Sequence, residues 1–218
     1  MIKKIHATQA DPTAREKLLR AAVDAFDRKG YAAATVREIV EAAGVTKPVL
    51  YYYFENKEGL FQELMDEVVL KFSQVLEKNQ EAGGSARGRI EGLCDNSFRL
   101  FKENVPVVRV LNSLYYGPPQ GAPPVDTDKN HRLFQERLKE LLVEGRDAGE
   151  FRFEKTEDAM WAIIGVLNIA MEVEFCHPEM ALGPKDLKRV LGIVFAGMAA
   201  QPRGESPRGT HRRKGVQP

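Results

Sequence analysis

Apolar side chains recur along most of this chain at the three- to four-residue spacing of an α-helix. Leu19, Ala22, Val23 and Phe26, for example, fall on one face of a helix, and that face is predicted to be buried. No segment shows a convincing two-residue alternation of the kind that marks a half-buried strand. The pattern therefore predicts an all-α protein, with helices through residues 12–30, 36–43, 47–54, 57–78, 90–101, 106–114, 126–148, 156–175 and 184–199.

Capping residues mark where several of these helices begin and end. Thr13 and Thr35 are each followed three residues later by a glutamate, which is the spacing of a capping box. Thr46 is placed to cap the third helix, and Pro48 fits its first turn because a proline there lacks only an N–H that has no partner in the helix. Gly44 ends the second helix, since glycine accepts the left-handed conformation common after a helix.

The chain has 218 residues, and at roughly 150 residues per domain it holds about one and a half domains. The distribution of charge divides it into three regions. Residues 1–57 carry ten Lys and Arg against seven Asp and Glu, whereas residues 58–200 carry seventeen against twenty-three. Residues 201–218 carry five against one and are rich in Arg, Gly and Pro, so they are predicted to be a disordered basic tail. A basic N-terminal region (residues 1–57), followed by an acidic region (residues 58–200, here called the body), favours binding of a polyanion at the N-terminal end.

Composition argues against several classes of protein. Cys94 and Cys176 match neither a disulfide framework nor a zinc site, so no metal is expected. The first residues lack the apolar stretch of a secretory signal. The most apolar segment, 159–171, has about 13 residues where a bilayer span needs about 20, so we expect a cytoplasmic protein without membrane contact. No phosphate-cradling loop or nucleophile elbow is present, so we expect neither an enzyme nor a cofactor.

Residues 35–54 carry the strongest functional signal, because they predict two short helices joined by a tight Gly-Val turn. In a helix-turn-helix, the first helix braces the second against the major groove of DNA. The second helix has three consecutive tyrosines, Tyr51, Tyr52 and Tyr53, which point about 100° apart and so cannot all enter one core. At least one phenol is therefore predicted to face solvent or a partner.

The stretch from Gly30 to Leu60, with TVREI at 35–39 and AAGVTKPVLYYYFENKEGL at 42–60, resembles the signature of TetR-family (tetracycline-repressor-like) regulators. The resemblance implies an all-helical homodimer with a helix-turn-helix DNA-binding domain at residues 1–57 and a helical ligand-binding and dimerisation domain at 58–200. It places phosphate contacts on Thr35, Thr46, Tyr51, Tyr52 and Lys57. It places base contacts on Arg37, Lys47, Pro48 and Val49.

Two of these positions allow a second interpretation. Arg37 could read a guanine, which is the commonest specific contact of arginine, or could pair with Glu41 one helical turn away. Lys57 lies in the first turn of a helix, where the helix dipole favours acidic residues, and a bound phosphate would remove that conflict. The sequence departs from the family at Tyr53, where histidine is common, and at Val49, which favours an apolar contact with a thymine methyl group.

Two helices of the body are apolar on more than one side, around residues 159–167 and 190–195. Such surfaces need both a core and a partner chain, and the family resemblance places these two helices in a four-helix dimer interface. Dimerisation would set two recognition helices one DNA turn apart, about 34 Å, to match a palindromic site.

The resemblance also implies a small-molecule effector, and the sequence predicts a largely apolar one. The candidate ligand-binding residues are Phe98, Phe101, Leu111, Asn112, Tyr115, His131, Phe134, Trp161, Asn168 and Glu172. The alternative for each aromatic residue is simple core packing. The proline-rich loop at 117–124 is either a lid over the ligand or only a connection between helices.

The resulting hypothesis is a ligand-responsive DNA-binding regulator, a repressor that a small molecule releases from a palindromic operator. The alternative is a nucleoid-type helical protein that binds DNA without sequence preference. The basic tail could add phosphate contacts in either case, or it could be only a solvated end.

Overall fold

The computed structural model describes residues 13–199, so the predicted disordered tail lies outside the described residues. Within this part, nine α-helices and one 3₁₀ turn follow one another, with an isolated antiparallel bridge between Phe151 and Ala199. The helices are α1 (Ala14–Ala33), α2 (Val36–Ala43), α3 (Lys47–Phe54), α4 (Lys57–Glu81), α5 (Ala86–Glu103), α6 (Val105–Tyr116), α7 (Thr127–Asp147), α8 (Thr156–Cys176) and α9 (Pro184–Met198). The all-α prediction is confirmed.

The N-terminal helices begin where the capping residues predict. Both capping boxes form, with the Thr13 and Thr35 hydroxyls accepting from the amides of Glu16 and Glu38 at 3.2 and 3.3 Å. The main part of α1 ends at Gly30, where φ is 76° and ψ 163°, and one short turn continues to Ala33. The chain therefore bends sharply just before α2.

Two separate clusters of buried side chains hold the helices together. The N-terminal cluster comes from α1, α2, α3 and the first half of α4, and it also takes in Val107 and Val110 of α6. The body cluster comes mainly from α5, α7, α8 and α9, and Val105 and Val108 of α6 pack against it. Since α6 contributes to both clusters, it links the two parts of the molecule.

Helix α8 is longer than its apolar sequence segment suggests. By length and composition it is the one helix within residues 13–199 that could cross a membrane, because an 18-residue window has a mean hydropathy of 1.6. The prediction of an apolar segment of about 13 residues, too short for a bilayer span, is therefore corrected as far as length and composition go. One side of α8, including Met160, Ile163 and Leu167, lies in the body cluster, and the opposite side is exposed.

Candidate nucleic-acid interface

The corner between α2 and α3 is fixed by its backbone and by buried side chains on its inner side. Gly44 has the left-handed conformation (φ 66°, ψ 32°), and the Val45 amide donates to the Val40 carbonyl at 3.0 Å. A residue with a side chain disfavours this conformation, which explains the glycine. Leu50 and Phe54 bury the inner side of α3. The predicted tight turn is confirmed.

The outer side of α3 presents a cation and three phenols to solvent. Lys47 and Pro48 are exposed and Val49 is half-buried. The exposed fractions of Tyr51, Tyr52 and Tyr53 are 47%, 81% and 44%, so all three phenols are accessible, where the sequence required at least one. The rings of Tyr52 and Tyr53 meet edge to face, with their centroids 5.1 Å apart.

Thr46 occupies the N-cap position of α3, but its hydroxyl makes no capping hydrogen bond, contrary to the expectation that it caps the helix. The backbone carbonyl of Thr46 accepts from Val49 and Leu50 at 3.1 and 3.3 Å instead. With Pro48 in the first turn, α3 has fewer N–H groups that need a cap. The exposed Thr46 hydroxyl is therefore available to a phosphate oxygen.

Arg37 forms the intrahelical pair that the sequence allowed as an alternative to base contact. Its Nε donates to Glu41 Oε1 at 2.8 Å, and the pair raises the pKa of the Arg37 guanidinium further through the hydrogen bond and the carboxylate charge. Both side chains are well exposed, at 76% and 61%. Exposed pairs of this kind contribute little to stability, so a guanine could displace Glu41 at little cost.

Contacts within the protein stabilise Lys57 in the first turn of α4, where the helix dipole favours acidic residues. Its Nζ donates to the carbonyls of Tyr31 and Ala34 at 2.9 and 3.1 Å and lies 4.2 Å from the centroid of the Tyr31 ring. These contacts tie the start of α4 to the segment between α1 and α2. A bound phosphate is therefore not needed to explain a lysine at this position.

Glu38, near the start of α2, is bound by Lys29 of α1 and by the backbone of Thr35. Its carboxylate accepts from Lys29 Nζ at 2.5 Å and from the Thr35 amide at 3.2 Å. These two hydrogen bonds lower the pKa of the Glu38 carboxyl below its ordinary value, the Lys29 bond having the larger effect. The charge on Glu38 thus stabilises the first turn of α2.

The ten residues predicted to bind a ligand do not come together in one cavity. Only Phe98, Phe101 and Phe134 lie in the body cluster. Leu111 packs instead against the N-terminal cluster, because the side of α6 that carries it faces α1. The remaining six are exposed: Asn112, Tyr115, His131, Trp161, Asn168 and Glu172. The prediction that these side chains jointly line a pocket is corrected accordingly.

Two open cavities of the described residues lie near the DNA-binding corner rather than in the body. One, of about 510 Å³, is bordered by α1 and α2 and includes Arg28, Lys29 and Glu41. The other, of about 480 Å³, lies between Tyr31, the start of α4 and the residues Gln120 and Gly121 of the α6–α7 loop. Neither contains a predicted ligand residue.

Trp161, Asn168 and Glu172 share an exposed stripe along α8, which we call the α8 stripe. It also includes Ala162, Gly165 and Ile169, and its large apolar members Trp161 and Ile169 are 55% and 58% exposed. Ile193, on α9, is 71% exposed. The sequence placed Trp161 in a pocket because helical periodicity does not show which side of α8 packs against the core.

Comparison with known proteins supports the identity of the N-terminal region. Residues 18–64 match the family model of the bacterial regulatory proteins, tetR family. The HTH-type transcriptional regulator BetI of Stenotrophomonas maltophilia is 29% identical over 101 residues, which are 46% of this chain and 52% of that protein. The uncharacterized HTH-type transcriptional regulator YdgC of Bacillus subtilis is 47% identical over 51 residues, 23% of this chain and 26% of YdgC. The matches thus span about half or less of these two relatives.

Solved structures extend the likeness to the fold of the body. PfmR, a TetR family transcriptional regulator from Thermus thermophilus, aligns with a TM-score of 0.64 at 23% identity, over 82% of this chain and 96% of PfmR. NalD, the secondary repressor of the MexAB-OprM multidrug efflux pump in Pseudomonas aeruginosa, aligns with a TM-score of 0.60 at 21% identity, over 85% of this chain and 95% of NalD. Together with the helix-turn-helix corner, these matches show that residues 18–64 form a domain of the bacterial regulatory proteins, tetR family.

Proposed function

We propose that this protein is a cytoplasmic, ligand-responsive transcriptional regulator that represses from a palindromic DNA operator. The observation that carries the proposal is the outer side of α3, where exposed Lys47 and three exposed tyrosines stand on a helix whose inner side is fixed by Leu50 and Phe54. Lysine and tyrosine side chains suit phosphate oxygens, and Val49 suits a thymine methyl group. Thr35, Arg37 and Thr46 are exposed as well.

The repressor acts as a dimer formed through α8 and α9. The exposed α8 stripe and Ile193 would otherwise leave large apolar side chains in water. Burying them against a second copy removes apolar surface from solvent, at about 25 cal/mol per Å². The dimer presents two α3 helices to half-sites about 34 Å apart.

A small, largely apolar effector controls the spacing of these two helices. Phe98, Phe101 and Phe134 lie in the body cluster, so an effector that binds among them repacks them. Binding then favours a body packing that no longer fits the operator. A differential affinity of about 1–3 kcal/mol would weaken DNA binding by about 5–150-fold.

The test begins with DNA selected from a random pool of duplexes, about four helical turns long, by the full-length protein. We expect enrichment of a palindrome with half-sites one turn apart, bound about 10³-fold or more tightly than random duplex. The Lys47→Ala and Tyr52→Ala variants should each weaken binding to that duplex by about tenfold or more, because each removes a groove or phosphate contact. Fluorescence anisotropy measures the affinities.

Matched controls separate a loss of contact from a general effect of the substitution. Tyr116 is 81% exposed, as Tyr52 is, but lies at the end of α6, and Lys78 is an exposed lysine at the far end of α4. Tyr116→Ala and Lys78→Ala should bind as the wild type does. Failure to enrich any sequence would favour the nucleoid-type alternative, and unchanged binding by both α3 variants would exclude α3 as the recognition helix.

A further inference from the structure

The loop between α6 and α7, residues 117–126, lies against the DNA-binding domain; we call it the strap. Ala122 and Val125 of the strap pack on the N-terminal cluster. Gln120 and Gly121 border the 480 Å³ cleft together with Tyr31 and Lys57. The strap thus faces both the end of α1 and the start of α4.

Gln120 contacts the sharp bend of α1 at Gly30. A Cβ placed on Gly30 would lie 2.5 Å from Gln120 Oε1, which is closer than real Cβ atoms approach, and 3.3 Å from its Cδ. The bend itself has φ 76° and ψ 163°, a conformation that essentially only glycine adopts. The glycine therefore serves two needs, because it allows the bend and leaves room for the Gln120 side chain.

The bend is the start of the segment that supports the helix-turn-helix. Lys57 donates to the carbonyls of Tyr31 and Ala34 in that segment, and Thr35 then caps α2. The Ala34 amide donates back to the Gly30 carbonyl at 3.3 Å. Any change in the bend at Gly30 would therefore tilt the segment on which α2 and α3 rest.

Both ends of the strap are fixed to helices that reach the body. On one side α6 spans the two clusters, and Arg109 of α6 pairs with Asp27 of α1 at 3.4 Å. On the other side Asp126 accepts from the Lys129 amide at 2.9 Å and so caps α7, which carries Phe134 into the body cluster. The strap is thus a direct connection between body packing and the bend.

We propose that the strap is a latch: Gln120, seated on Gly30, and Ala122 and Val125, packed on the N-terminal cluster, hold the helix-turn-helix in its DNA-binding orientation, and repacking around Phe134 releases it. This inference rests on the proposed function and specifies how the body regulates it. The latch is a third role for the proline-rich loop, in addition to the lid and the simple connection that the sequence left open.

The test compares Gln120→Ala with Gln135→Ala, a matched control in which a half-buried glutamine of α7 is removed instead. Hydrogen exchange of the amides of residues 31–36 in the full-length protein reports on the latch without DNA. We expect Gln120→Ala to speed this exchange by about threefold to tenfold, with exchange in α8 unchanged, because only the local opening equilibrium shifts. Gln135→Ala should leave residues 31–36 as in the wild type.

The same two variants are then titrated against the duplex selected by the wild-type protein. Gln120→Ala should bind it about threefold to tenfold more weakly, since the competent orientation is less populated. The latch is wrong if exchange in residues 31–36 is unchanged, or if it rises without a loss of affinity. Absence of any selected duplex for the wild type would count against the proposed function, while the exchange result would still test the latch contact.

Discussion

At the scale of single residues, two lysines illustrate how similar positions take different roles. Lys47 and Lys57 both lie in the first turn of a helix of the DNA-binding domain. Lys47 extends into solvent, whereas the Lys57 ammonium is bound by two backbone carbonyls and a tyrosine ring. The family resemblance places both at DNA contacts, and the structure shows in addition that Lys57 braces two segments of the protein.

Replacing Lys57 with methionine should therefore lower the free energy of unfolding by about 1–3 kcal/mol, because the Tyr31 and Ala34 carbonyls lose a charged donor. Lys47→Met should change it by less than about 0.5 kcal/mol, as expected of an exposed side chain. Urea denaturation of both variants measures the difference. Equal stability of the two variants would show that the Lys57 contacts do not brace the domain.

At the scale of elements, α1 and α2 begin at capping contacts that the sequence predicts. The capping boxes at Thr13 and Thr35 and the αL glycine at residue 44 act within a few residues, so they form wherever the helix forms. Thr46 departs from this pattern, since its hydroxyl leaves the helix uncapped and faces solvent. A residue that breaks a local rule lies here on the surface proposed to contact DNA.

The first turn of α2 should show a specific pH dependence through Glu38. Hydrogen bonds from Lys29 and from the Thr35 amide lower the pKa of Glu38, so folding favours its ionised form. The stabilisation is present at neutral pH and is lost as the pH falls through the lowered pKa of the folded state. Glu38→Gln should accordingly lower Tm at neutral pH, and the difference from the wild type should shrink as the pH falls through the acidic range.

Thermal unfolding monitored between neutral and acidic pH tests this expectation, with Glu77→Gln as the control at an exposed glutamate of α4. The control should follow the wild type throughout. A difference between Glu38→Gln and wild type that stays constant as the pH falls would contradict a role for the Glu38 charge.

At the scale of the whole molecule, the unburied apolar surface of α8 and α9 predicts assembly. If α8 and α9 form the proposed dimer interface, Ile169→Asp should give a monomer of 24.4 kDa, since a carboxylate in a buried interface is strongly unfavourable. Leu70→Asp, at an exposed leucine of α4 with nearly the same accessibility (59% against 58%), should leave the dimer intact. Light scattering coupled to size-exclusion chromatography measures both masses.

An Ile169→Asp protein of dimeric mass would place the interface elsewhere. A monomeric Leu70→Asp would instead indicate that α4 takes part in it. Since two linked half-sites are needed for tight operator binding, monomeric Ile169→Asp should also lose most of its affinity for the selected duplex.

The sequence by itself determined the helices, the capping boxes at Thr13 and Thr35, the helix-turn-helix corner and at least one outward tyrosine, because these depend on contacts within a few residues and on the helical period. It could not determine which side of α8 meets the core, and so it placed Trp161, Asn168 and Glu172 in a pocket. Only the tertiary structure decided that orientation, the buried contact of Arg137 with Asn79 at 3.0 Å, and the position of Gln120 on Gly30. Each joins residues tens of positions apart, and no local preference encodes how distant helices pack.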